Sequence, residues 1–155
     1  MPAQLRIRRA LPKDLPRIAA IEGASFGAEA YDCKLFAHFL RHCGGLFLVA
    51  EQNRRVCGYL ITCIRVSRGS ASAELVSVAV EPARRQRGAA AAMLESTLRR
   101  LGRRRVERIH LVVRTGNLPA LAFYEKYGFR RLRRVPRYYE DGADGIAMTR
   151  PVTLQ

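Results

Sequence analysis

The sequence lacks any apolar run of 18 or more residues; its longest apolar stretches are strand-sized, so no membrane span is expected. The opening residues Met1 to Arg6 lack the apolar stretch of a secretory signal, and a cytoplasmic location is expected. Repeats, linkers and low-complexity tracts beyond arginine clusters are also missing. A length of 155 residues fits a single domain over 1–155. No CxxC pair occurs, and the four cysteines share no zinc-like spacing with His38, His42 and His110, so no metal site is expected. Cys33, Cys43, Cys57 and Cys63 therefore read as reduced thiols that pack as small hydrophobes, with a disulfide such as Cys33–Cys43 as the open alternative.

Lysine is scarce too. Of 28 basic residues only Lys13, Lys34 and Lys126 are lysine, leaving 25 arginines against 13 acids and a net charge of +15. A GC-rich genome leaves such a bias, but the field still concentrates anions and repels polycations such as polyamines. Arginines cluster at Arg99, Arg100, Arg103, Arg104 and Arg105, and again at Arg130, Arg131, Arg133 and Arg134. No aromatic residues interleave with them to stack bases, so they read as solvated basic faces and nucleic acid is not an expected partner.

What is present is 48% apolar residues, enough for a core at this length. Alternation over 5–9 predicts a strand. Pro12, Asp14 and Pro16 read as a helix start, with Asp14 as its cap and the helix running to Phe26. A second helix fits 33–42. Strands follow over 46–51, 56–66 and 73–80, then a helix over 88–101 and a strand over 108–113. Asn117 caps a helix over 118–127 that Gly128 ends. Strands over 129–135 and 146–150 close the chain. The order β-α-α-β-β-β-α-β-α-β-β is an α/β (α+β) chain, a mixed sheet of about seven strands with about four helices.

The most informative turn is Val80-Glu81-Pro82-Ala83-Arg84-Arg85-Gln86-Arg87-Gly88-Ala89-Ala90. A buried strand stops, a basic loop follows, and a helix opens on small residues. The first amides of a helix have no internal partner and meet the positive end of its dipole, which makes an anion site. Gly88 and Ala90 leave room for a pyrophosphate to approach the backbone.

Arg85-x-x-Gly88-x-Ala90 resembles the coenzyme-A signature of the GCN5-related N-acetyltransferase (GNAT) superfamily, whose fold has the same element order. The resemblance implies a GNAT fold and acetyl-CoA as acetyl donor, with Arg85, Gln86, Arg87, Gly88, Ala89 and Ala90 at the pyrophosphate. It also places the backbone of Val78 and Val80 at the thioester. The run from Asn117 through Tyr124 to Gly128-Phe129 resembles a second element of that superfamily. It assigns Asn117 to the pantetheine arm and Tyr124 to protonating the departing thiolate. The segment Arg137 to Met148 resembles the tail of the RimI branch, the ribosomal-protein-alanine N-terminal acetyltransferases. There a Tyr-Tyr pair begins the loop over the substrate site, which implies substrate roles for Tyr138 and Tyr139. Phe26 and Tyr31 flank the other substrate-facing stretch. The implied partner is a protein or peptide N-terminus, with a ribosomal protein among the candidates.

One position departs from that branch. RimI enzymes carry a general-base glutamate where this chain has Val112. Two replacements are available. Glu74 matches the base of the histone-acetylating members and is favoured. His110 lies two residues before Val112, hence on the same strand face, and its ordinary pKa of about 6.5 suits base work. The acceptor stays open among an N-terminal α-amine, a lysine and a small-molecule amine. The alternative of another class is a coenzyme-A- or RNA-binding module without catalysis.

Overall fold

The computed structural model describes residues 4–27, 31–84 and 88–153. Every predicted element is present, with ends shifted by at most three residues. Strand β1 is Arg6–Arg9; helices α1 and α2 are Leu15–Phe26 and Cys33–Cys43; β2, β3 and β4 are Phe47–Gln52, Arg55–Ser67 and Ser70–Val80. Helix α3 is Ala89–Arg103, β5 is Arg108–Arg114, α4 is Leu118–Lys126, and β6 and β7 are Arg130–Val135 and Gly145–Pro151. The strands hydrogen-bond in the order β1-β2-β3-β4-β5-β7-β6. Strands β4 and β5 run parallel, whereas β5–β7 and β6–β7 are antiparallel. This is the mixed seven-strand, four-helix arrangement that the sequence predicted. No described helix is long and apolar enough to cross a membrane.

Two compact units are distinguished: Met1–Cys63 with Leu75–Arg104, and Ile64–Glu74 with Arg105–Gln155. In the first, Ile18 and Ile21 of α1 and Phe36 of α2 pack with Phe47, Val49, Tyr59, Ile61 and Ala79. The intervening strand residues Leu48 and Leu60 are equally buried, as are Met93, Leu94 and Leu101 of α3. Gly58 permits a close approach in this layer: a Cβ there would press on the Ala79 carbonyl, Met93 and Val80. In the second unit β5 buries Ile109, Leu111 and Val113, while His110 and Val112 alternate to a half-buried face. Leu121 and Tyr124 of α4 are buried, as are Phe129 and Met148.

Two local expectations are corrected. Asp14 does not cap α1: its backbone is already helical and its side chain makes no cap bond. Instead its carboxylate accepts from the Leu11 N–H and from both Nη atoms of Arg8, at 2.8–3.0 Å. The cysteines are not all reduced. Cys43 at the end of α2 is bonded to Cys63 on β3, not to Cys33; Cys33 and Cys57 are free. The expected Asn117 cap is present, its Oδ1 accepting from the Ala120 N–H at 3.2 Å. Gly128 ends α4 with φ +90.

Candidate active site

In the first unit, β4 buries Leu75, is half-buried over Val76, Ser77 and Val78, and is buried again at Ala79 and Val80. Val78 is half-buried and Val80 buried. The chain leaves the strand through a hydrogen bond from the Glu81 N–H to the Cys57 carbonyl, 2.7 Å. Arg85, Gln86 and Arg87, expected at a pyrophosphate, lie outside the described residues. The helix start beyond them is described. Gly88 has φ +86, a left-handed conformation that favours glycine. The first helical bond runs from Ala92 N–H to Gly88 carbonyl, 2.9 Å. The amides of Ala89, Ala90 and Ala91 precede it, so the helix supplies them no acceptor.

The same unit holds Phe26, exposed at the end of α1, and Tyr31. The Tyr31 ring packs edge-on against Phe36, centroids 5.9 Å apart, and against Phe39 at 6.0 Å. Its N–H donates to Glu22, 3.4 Å. Glu22 was not singled out by sequence. It is 2% exposed, accepts from the hydroxyls of Tyr59 and Ser77, and is pushed up in pKa by burial. One carboxylate thus ties α1, two strands and the segment entering α2.

The second unit brings both candidate bases together. Parallel register sets Glu74 beside His110. Both line a cavity of about 270 Å³ with Arg65, Val112, Leu132 and Ala147. The Glu74 carboxylate is gripped by Arg65, Nη2 to Oε2 at 2.6 Å. Burial and the Arg108 charge lower the pKa of His110, with Glu74 opposing, so the ring is neutral at pH 7. Arg65 thus occupies the Glu74 carboxylate, whereas the neutral His110 ring beside it has no ion-pair partner among the described residues.

Tyr124 is buried in α4, its ring edge-on to Phe123 and Phe129 at 5.3 and 5.4 Å. Burial pushes its phenol pKa up, Tyr139 adding to the effect. Among the described residues its hydroxyl has no hydrogen-bond partner. Tyr139 donates to the Val112 carbonyl, 3.4 Å, with the Arg114 guanidinium 4.2 Å from its ring centroid. Tyr138 is exposed. Their loop is fixed by two carboxylates that sequence reasoning missed. Asp144 accepts from Arg137 N–H at 2.8 Å and Arg134 at 2.6 Å; Asp141 accepts from Arg114 at 2.8 Å and Ala143 N–H at 3.0 Å. The repeated Asp-Gly in Asp141-Gly142-Ala143-Asp144-Gly145 was the available signal.

The Acetyltransferase (GNAT) family model matches residues 11–129, more than half of the chain. The chain belongs to the GNAT acetyltransferase family. It is 31% identical to an N-alpha-acetyltransferase of Saccharolobus solfataricus over 94% of this chain and 92% of that one. Its fold is similar to Ard1 from Thermoplasma volcanium, TM-score 0.89 at 29% identity, covering 97% and 99% of the two chains. It is also similar to the ribosomal-protein-S18-alanine N-acetyltransferase from Escherichia coli, TM-score 0.80 at 29% identity over 98% and 96%. This GNAT protein is an N-acetyltransferase with acetyl-CoA as donor.

Proposed function

We propose that this GNAT enzyme acetylates the α-amino group of protein or peptide N-termini, ribosomal proteins among them. The observation that carries the reading is the cavity in which neutral His110 stands beside Glu74. An α-amine has a pKa near 8, so about a tenth is neutral at pH 7; a lysine is neutral in about one copy in a few thousand. A modest base such as an imidazole is matched to the first and poorly matched to the second. The relatives named above as N-alpha- and S18-alanine acetyltransferases support the same acceptor.

In the proposed mechanism the α3 amides after Gly88 take the pyrophosphate, and Asn117 steadies the pantetheine arm. The backbone at Val78 and Val80 holds the thioester carbonyl. The amine nitrogen attacks the acetyl carbon, forming the C–N bond. His110 accepts the amine proton, through one water if the ring stands back, with Glu74 stabilising the resulting charge. The C–S bond breaks, and Tyr124, kept protonated by burial, gives its proton to the thiolate. Tyr139 and Tyr138 guide the peptide, as do Phe26 and Tyr31.

The test is a peptide library with free or blocked N-termini, incubated with acetyl-CoA and followed by thiol release. Turnover restricted to free N-termini is expected. Acetyl groups found by mass spectrometry only on lysine side chains would overturn the acceptor assignment.

A further inference from the structure

Five guanidinium groups of the first unit gather where β1, the end of α3 and the Gly44–Gly45 turn meet. Arg9 of β1 reaches the turn with Nε on the Gly44 carbonyl, 3.3 Å. Arg104, capping α3, lies over Gly45, where any Cβ would collide with its guanidinium. Arg99, Arg100 and Arg103 complete the group from the last turn of α3. All are exposed except Arg100, which is half-buried with its Nε on Ser96 Oγ at 3.3 Å. Burial together with the charges of Arg103, Arg9, Arg104 and Arg99 pushes the Arg100 pKa down; no acid acts against them.

Five guanidinium groups gathered without a counter-charge are the decisive feature. The acids that form ion pairs are spent elsewhere, on Arg8, Arg17, Arg55, Arg65, Arg114, Arg131 and Arg134. Among the described residues none of the five clustered arginines has an acidic partner. The helix C-terminus offers about half a negative charge, too little for five cations. The guanidinium fork matches phosphate oxygens in paired hydrogen bonds. A protein partner would need an apolar anchor at the centre of the patch. Among the described residues of this unit the exposed large hydrophobics are Leu11 and Phe26; only Leu11 is within two residues of a cluster member, and one leucine does not make such an anchor.

We propose that Arg9, Arg99, Arg103 and Arg104 form a surface that binds the phosphate backbone of RNA without reading its sequence. The cluster itself goes beyond the catalytic reading. The choice of RNA among polyanions rests on that reading, in which ribosomal proteins, themselves partners of RNA, are among the acceptors.

Fluorescence anisotropy with a short labelled single-stranded RNA across a salt series tests this. Each phosphate contact on a single strand adds about 0.7 to the slope of log affinity against log salt. The triple variant Arg99→Gln, Arg103→Gln, Arg104→Gln should therefore lower the slope by about 2 and weaken binding more than tenfold. The control Arg54→Gln, Arg68→Gln, Arg130→Gln removes equal charge from other exposed positions and should keep most of the slope. Equal losses in both triples would reduce the effect to net charge and overturn the surface. Polyglutamate displacing RNA at equal charge would point to an acidic protein instead, and tighter binding to duplex DNA would overturn the choice of RNA. Phenylglyoxal footprinting on the unaltered protein needs no variant: RNA should protect Arg99, Arg103 and Arg104, and lack of protection also overturns the proposal. Peptide acetylation by the cluster variant should stay at the wild-type rate. Loss of the acceptor reading with cluster-dependent RNA binding intact would leave the surface standing by itself.

Discussion

Tyr124 and His110 owe their proposed roles to opposite effects of the same cause. Burial raises the phenol, keeping its proton available, and lowers the imidazole, keeping its ring free to accept one. Replacing Tyr124 by Phe should cut kcat by about 10²–10⁴ with little change in the KM for acetyl-CoA, the range for a lost general acid. Steady-state thiol release measures this, and an unchanged kcat removes Tyr124 as the acid. For His110 the lowered pKa places the acid limb of kcat/KM below pH 6.5, and His110→Gln should abolish that limb. A limb retained in His110→Gln assigns the base elsewhere, with Glu74→Gln as the next variant. Gly145 is a different kind of residue. A Cβ there would strike Val112 Cγ1 on the paired strand β5 and approach Tyr138. Gly145→Ala should destabilise by ~1–3 kcal/mol, the cost of overpacking, and Val112→Ala in the same chain should return most of it; denaturant titration of both variants decides. The sequence marks Tyr124 and Val112 through their neighbours in the chain. It cannot show the Gly145–Val112 contact, which exists only through the β5–β7 register.

Local signals at element ends were legible, and long-range partners were not. Asn117 and Gly128 act within one helical turn, so their residue types foretold the cap and the stop of α4. Asp14 looks like the same kind of signal, but Arg8 on β1 lies within reach and takes the carboxylate first. The tether between α2 and β3 was equally invisible. Cys43 and Cys63 are 20 residues apart, and only the packing of α2 on the sheet brings their Cα atoms to 5.1 Å. Closing a loop of this length stabilises by ~3 kcal/mol in the chain-entropy account. Cys63→Ser should therefore lower the melting temperature, and a reducing agent should lower the wild type to the same value. A melting point indifferent to both would mean the bond adds nothing in solution. Arg85, Gln86 and Arg87 fall at the other extreme: they are legible as a motif in the sequence and lie outside the described residues, between a described strand end and a described helix start.

Acidification should act on the stability of the molecule through three buried or half-buried groups: His110 and Asp14 cost stability, while Glu22, its folded pKa raised by burial, returns some of it as pH falls toward 4.5. His110 has a lowered folded pKa, so its unfolded form takes up a proton first and stability declines as pH falls through about 6.5. Asp14 follows. Burial opposes its charge, but the bonds from Arg8 and the Leu11 N–H outweigh it and hold the carboxyl below the usual range. Its contribution is complete above pH ~3.9 and is lost as pH falls through the lower folded value. Urea midpoints measured from pH 8 to pH 3 check the order, and Asp14→Asn should reduce the acid-side loss, which Asp141 and Asp144 share, and leave the His110 step unchanged. The strand order has one more consequence. The two outermost strands, Arg6–Arg9 and Arg130–Val135, are also crowded with arginine, and β6 is exposed at five of its six positions. An outermost strand offers unpaired amides and carbonyls to any similar strand it meets. Cationic side chains along both rims make two copies repel before their backbones can zip together. The arginine excess thus guards against self-association at high protein concentration, and concentrated salt, by screening that repulsion, weakens the guard.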